Sequence, residues 1–187
     1  PHWSAVVSAS PLSFRADDLD ALVFDIGGVF VVPHHEPVGA HLRDAGFDAP
    51  HGEEHYHRAH YRAVHALTTS EGSDEADPAF WRVYHRAYVE VLGLRDAELG
   101  EAARALGRLF GTTSGLWCQL VPDNIAAFAR LAAAWPVAIV SNNDGTAEQQ
   151  MIDFGVCQVG SGPLPAAAIV VDSGSIGIRK PDPAIFA

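Results

Sequence analysis

Two rhythms of apolar residues divide the chain. Ala21, Leu22, Val23 and Phe24 form an apolar run that predicts a strand buried on both faces, ending on the lone carboxylate Asp25. Gly27 and Gly28 follow, so the backbone turns sharply and a ligand can come close to it. Residues 29–33 read as a short extended flap leaving that turn. From about residue 36 to 116 the spacing becomes helical. Val38, Leu42 and Ala45 share a face, and Gly46 is placed to end their helix. Tyr56, Ala63 and Leu67 line a second helix over 53–68, and polar residues 70–75 read as a loop. Asp77 and Pro78 cap a third, with Phe80, Tyr84, Ala87 and Val91 on one side. Asp96 starts a fourth, carrying Leu99, Ala103, Leu106 and Phe110 and stopped by Gly111. Four such helices predict a small bundle.

Beyond Pro122 the rhythm alternates. A helix with Ile125, Phe128 and Leu131 inward ends at Pro136, and the run Val137, Ala138, Ile139, Val140 predicts a strand closing on Ser141 and Asn142. A helix over about 146–154 and a third strand over 168–171 follow. Helices between buried strands predict parallel βαβ units. The expected fold class is α/β: a doubly wound parallel sheet, Rossmann-like and cut off after its third strand, with an α-helical bundle cap inserted after the first. The division is an amino-terminal arm at 1–18, a core at 19–35 and 117–187, and a cap at 36–116.

Composition narrows the function classes. Apolar residues make up 48% and charged residues 19% of the 187, which disfavours disorder. The formal net charge of −11 argues against a nucleic-acid or basic membrane surface. Cys118 and Cys157 form neither a metal spacing nor a disulfide framework, which fits a reducing cytoplasm and two buried small apolar residues. Residues 1–13 lack the basic start of a signal peptide and read as a loosely packed arm. Met151 is the only methionine, and a helix begins just before Ala187, so both ends are expected to continue. The oligomeric state is open, a homo-oligomer included.

Three polar clusters fall where the strands end: Asp25, then Ser141 and Asn142, then Arg179 and Lys180. Right-handed crossovers bring successive strand ends to one edge of the sheet. A carboxylate, a hydroxyl, a glycine-turn amide array and a lysine suit attack on a phosphoryl centre whose oxygens are held by the other groups.

In these residues the chain resembles the haloacid dehalogenase-like (HAD) superfamily of hydrolases. The first motif resembles Phe24-Asp25-Ile26-Gly27-Gly28-Val29, the second Ala138-Ile139-Val140-Ser141-Asn142, and the third Gly177-Ile178-Arg179-Lys180-Pro181-Asp182-Pro183. The match covers roughly 19–32 and 121–187, and the cap matches in position and helix count. The resemblance implies that Asp25 is a nucleophile forming an aspartyl intermediate, and that it ligates Mg²⁺ together with the carbonyl of Gly27. It implies that Ser141 and Asn142, with the turn at Gly28, bind the phosphoryl group, and that Lys180 neutralises charge. The substrate would be a small phosphorylated metabolite.

Two positions depart from the family. Phosphatases of this kind carry a second aspartate two residues after the nucleophile, where this chain has Gly27. Acid–base help is worth about 10²–10⁴ in rate, roughly 3–5 kcal/mol, so poor leaving groups suffer most. The acidic fourth motif is absent, and without a fourth strand the strand carrying Asp25 becomes a sheet edge. Two alternatives follow: metal-free dehalogenation, in which a halide leaves without a proton, and a binding or regulatory relative that lost turnover.

The histidines offer further readings. His51 and His55 formally match a zinc-protease pattern but lack its context. His34 or His35, just after the flap, is a candidate replacement for the acid missing at Gly27. Asp172 and Ser173 read as loop or cap residues, Asp144 as a brace for the second motif, and Trp81, Trp117 and Trp135 as packing.

Overall fold

A computed structural model of the chain describes residues 18–68, 75, 77–113 and 115–187. The expected arm, but for residue 18, and most of the loop expected at 70–75 lie outside these residues.

The core is a three-stranded parallel sheet of β1 (Leu22–Phe24), β4 (Val137–Ser141) and β7 (Ile169–Asp172), in the order β1-β4-β7. Its register pairs Phe24 with Ile139 and Ile139 with Val170, so the ends of all three strands meet at one edge. Helices α5 (Pro122–Ala132) and α6 (Ala147–Asp153) follow β3 (Trp117–Leu120) and β4 in sequence. Under the sheet Phe24, Phe30 and Phe128 form an aromatic triad, with Phe128 edge-on to the other two rings at 5.1 Å. Ile139, Met151 and Val156 are fully buried in the same cluster.

The first strand differs from expectation. Val23 is 57% exposed, as is its row neighbour Ile169 at 51%, with Ala138 between them. Leu22 and Phe24 point into the core, so β1 is buried on one face, and it pairs only with β4 among the described residues. Strand β1, which leads into Asp25, is therefore an edge of the sheet among the described residues.

The insertion is helical: α1 (His35–Asp44), α2 (Glu53–Thr68), α3 (Pro78–Val91) and α4 (Leu99–Thr112). Local chemistry sets their limits. Gly46, with φ 92°, follows α1, and the Asp77 carboxylate accepts the Ala79 N–H ahead of Pro78 in α3. Helix α4 starts three residues later than Asp96 and runs past Gly111 to Thr112, so Gly111 does not stop it. In α3 the buried stripe runs through Tyr84, His85, Tyr88 and Val89, rotated from the expected Phe80, Ala87 and Val91, which are half-buried. The bundle has its own core, including Leu42, Tyr56, Tyr84, Tyr88 and Leu106, and His41 Nε2 meets the Ala105 carbonyl at 3.0 Å to join α1 to α4.

An antiparallel ribbon connects cap and core. Strand β2 (Val31–Pro33) is the expected flap, but its partner β3 was not expected. Trp117, at the start of β3, packs against both the cap and the core clusters. Short β5 (Gln158–Val159) and β6 (Ala166–Ala167) pair separately, and α7 (Ser173–Ile176) follows β7. Cys157 is buried, which pushes its thiol up to about 11, while Cys118 is half-buried. Among the described residues no helix is long and apolar enough to cross a membrane.

Two buried histidines make the cap sensitive to acid. Burial, with the neighbouring His57, lowers His60 to about 4, and burial alone lowers His85 to about 4. The unfolded chain takes up protons near pH 6.5 and the folded chain only near pH 4. Stability is therefore full above about pH 6.5 and falls as pH drops toward 4. Urea midpoints are expected to be clearly lower at pH 5 than at pH 7.5. Equal midpoints would contradict neutral, buried imidazoles.

Candidate active site

Asp25 sits one residue past β1, with its side chain about two-fifths exposed. Its Oδ1 accepts the Ile26 N–H at 2.8 Å, which fixes the carboxylate against the turn that follows. Its Oδ2 lies 2.8 Å from Lys180 Nζ. Lys180 comes from the segment after β7, and its ammonium also donates to the Val140 carbonyl at 3.2 Å. The third motif is thus tied to the ends of both β1 and β4.

Asn142 makes that tie rigid. Its Oδ1 accepts the Lys180 N–H at 2.8 Å and its Nδ2 donates to the Lys180 carbonyl at 3.1 Å. The same Nδ2 reaches Glu75 Oε2 at 2.9 Å. Asn142 was expected to bind the phosphoryl group through the second motif. Its side-chain amide is engaged with Lys180 and positions the lysine. Ser141, buried at the end of β4, lines the cavity above Asp25.

Gly28 also differs from expectation. Its φ of 75° is the left-handed conformation that the turn needs. Its N–H donates to the Val31 carbonyl at 2.7 Å and its carbonyl accepts the Tyr61 hydroxyl at 3.2 Å. It lies outside the cavity lining, which includes Ile26 and Gly27. Gly28 therefore shapes the turn; its amide is not presented to a ligand.

The loop after β4 is organised by Asp172, 5% exposed. Its Oδ2 accepts the Gly145 and Ala147 N–H groups at 3.0 and 2.8 Å, and its Oδ1 accepts Gly174 N–H at 2.8 Å. Asp144 accepts both the main-chain N–H and the hydroxyl of Thr146. Asp144 thus braces the loop as read from the sequence, and Asp172, read only as a loop or cap residue, braces it too.

The cavity between core and cap holds about 480 Å³, within the usual range for small-molecule sites. Asp25, Gly27, Ser141 and Asn142 line its floor, and Trp81, Tyr84 and Trp117 are part of its wall. Trp81 and Trp117 pack against the helical cluster, as expected, and also line the cavity, whereas Trp135 is not among the lining residues. Three lining residues gave no functional signal in the sequence. Glu75 reaches from the cap to Asn142 and lies 3.7 Å from Arg179. Tyr84 bonds His60 Nδ1 at 2.8 Å, leaving His60 Nε2 buried without a partner. That nitrogen faces the turn: a Cβ built on Gly28 would lie 3.1 Å from it.

His34 and His35 do not line this cavity. His34 caps α1 by accepting the Glu36 N–H, and His35 Nδ1 lies 2.9 Å from Gln119 Oε1. The ribbon thus commits both to other partners, and His60 is the histidine that the fold brings to the site. His51 and Gly52 precede α2, so His51 and His55 do not share a helix face.

Asp25 is the single carboxylate in the motif positions expected to hold a metal, and among the described residues no group of three or more His, Cys, Asp or Glu could hold one. Mg²⁺ commonly takes one or two protein carboxylates and completes its shell with water and phosphate oxygens. Asp25 and the Gly27 carbonyl fit the lower end of that range.

No protein-family model and no curated protein matches the chain. Among solved structures it is similar to a HAD family enzyme from Bacteroides thetaiotaomicron in complex with magnesium and inorganic phosphate. The two are 14% identical with a TM-score of 0.40, over 90% of this chain and 75% of that one. It is similar to YfnB of Bacillus subtilis, described as a HAD-hydrolase bound to magnesium, at 16% identity and TM-score 0.41, over 89% and 68% of the two chains. It is also similar to a 2-haloacid dehalogenase from Pseudomonas syringae, at 20% identity and TM-score 0.36, over 90% and 70%. The chain's own parallel core carries the three motif segments in the order read from the sequence.

Two substitutions test the scaffold. Gly28→Ala places a Cβ at positive φ against His60 and is expected to destabilise by about 1–3 kcal/mol. Asp172→Ala leaves three N–H groups without their carboxylate and is expected to cost about 3 kcal/mol or more. Chemical denaturation reads both, and unchanged midpoints would refute these assignments.

Proposed function

We propose that the chain is a HAD-type phosphatase of a small phosphorylated metabolite, with Asp25 as nucleophile and Mg²⁺ as cofactor. The observation that carries this reading is the 2.8 Å contact of Lys180 Nζ with Asp25 Oδ2 at the floor of a cavity that Ser141 also lines. A lysine so placed orients the carboxylate and meets the charge of an arriving phosphoryl group.

Asp25 attacks phosphorus: the Oδ–P bond forms, the bond to the leaving oxygen breaks, and its electron pair departs with that oxygen. Water then cleaves the aspartyl phosphate, restoring the carboxylate and releasing inorganic phosphate. Ser141 is the ligand for the phosphoryl oxygens, and Asn142 keeps Lys180 in register through its main chain. Mg²⁺, held by Asp25 and the Gly27 carbonyl, supplies further charge neutralisation when bound. The cap walls off water.

A second reading draws on Gly27. Its missing carboxyl, and a Trp117 ring 3.5 Å from where its Cβ would lie, suit displacement of a halide from carbon, which requires no proton and no metal. A non-enzymatic relative is the third reading.

A phosphate-ester panel separates the three. Mg²⁺-dependent turnover is expected, lost to background in Asp25→Asn and reduced about 10²–10³-fold in Lys180→Met. Turnover of haloacids that survives chelation would replace this reading with the second. No turnover on either panel would favour the third.

A further inference from the structure

The cap side of the cavity is apolar and aromatic. Val64, Leu67, Phe80, Trp81, Tyr84 and Trp117 line it. The polar ends of the two central aromatics are already engaged within the protein. Trp81 Nε1 donates to the Glu75 carbonyl at 2.9 Å, and the Tyr84 hydroxyl lies 2.8 Å from His60 Nδ1. The Glu75 carboxylate is tied to Asn142 and faces Arg179. What these six side chains present toward the cavity is largely ring and methyl surface, with the polar His60 and Thr113 beside them.

Such a wall discriminates between organic groups. A sugar pressed against it would give up hydrogen bonds to water and find few in return, while an aromatic ring would gain burial and edge or face contacts. The other end of the reacting bond gives the same selection independently. Gly27 supplies no acid, and Trp117 packs within 3.5 Å of where a side chain there would begin. A leaving oxygen at that point receives no carboxyl proton. Phenols ionise near pH 10 and aliphatic alcohols several units higher, so a phenolate leaves unaided and an alkoxide does not.

We infer that the substrate is an aryl phosphate, its ring against the cap aromatics and its phosphoryl group over Asp25 and Lys180. The inference rests on the phosphatase reading above and names its substrate class. Asp25 Oδ bonds to phosphorus as the P–O(aryl) bond breaks. The electron pair leaves as phenolate, which takes its proton from water. Water then hydrolyses the aspartyl phosphate.

The test compares phenyl phosphate, acetyl phosphate and glucose 6-phosphate on the full chain with Mg²⁺. Acetyl phosphate has a good leaving group but no aromatic ring, and glucose 6-phosphate has neither a good leaving group nor an aromatic ring. The expected result is a kcat/KM for phenyl phosphate at least tenfold above glucose 6-phosphate, with a KM at least tenfold below that for acetyl phosphate. Phe80→Leu, checked for folding by circular dichroism, is expected to raise the ratio of the phenyl to the acetyl phosphate KM severalfold. Glucose 6-phosphate within tenfold of phenyl phosphate, matching KM values for the phenyl and acetyl esters, or an unmoved ratio in Phe80→Leu would each overturn the substrate class while leaving phosphatase activity intact. Failure on all three esters, with Asp25→Asn indistinguishable from the parent, would remove the phosphatase reading itself.

Discussion

The contact between Lys180 and Asp25 fixes the geometry of the site. Both partners are partly exposed, so the pair adds little to stability. Its consequence is positional. Asp25 follows the first strand and Lys180 follows the last, and both lie beside the end of β4, where Asn142 grips the lysine's own peptide groups. Three segments far apart in sequence thereby converge within hydrogen-bond reach. Asp172, buried and accepting three N–H groups, holds the loop after β4 so that this convergence is maintained.

The cap depends on a different constraint. Its aromatic core includes the His60 and Tyr84 pair, and the imidazole is kept neutral by burial. That pair stands behind the glycine turn: Gly28 lacks a Cβ that would press on His60, and its carbonyl takes the Tyr61 hydroxyl. The turn after Asp25 is thus supported from the helical insertion as well as from the core. Trp117 belongs to both clusters and flanks Gly27, so one ring links the helical insertion to the turn beside Asp25.

Much of this was legible because it is locally encoded. The bounds of α2 follow from its apolar period and the start of α3 from Asp77 and Pro78. The first two motif segments stand at strand ends that alternation alone suggested, and the third follows α7. What escaped was set by distant pairing. Strand β3 is four half-buried residues whose partner β2 lies far back in the chain, so no periodicity marks it. Val23 looked buried because an apolar run does not reveal that one face is uncovered. Among the histidines, closeness to the flap in sequence pointed to His34 and His35, whereas the helix packing delivers His60. The polar groups of Asn142 and Gly28 have tertiary and turn partners that no local pattern announces.

The account stands or falls on covalent chemistry at one oxygen. The protein should be mixed with phenyl phosphate and Mg²⁺, quenched during turnover, treated with borohydride and examined by peptide mass spectrometry. An acyl phosphate at Asp25 is reduced to a homoserine, so the peptide spanning β1 and the glycine turn should carry that mass change only when substrate was present. Sustained turnover with position 25 unmodified would contradict the nucleophile assignment on which the rest depends.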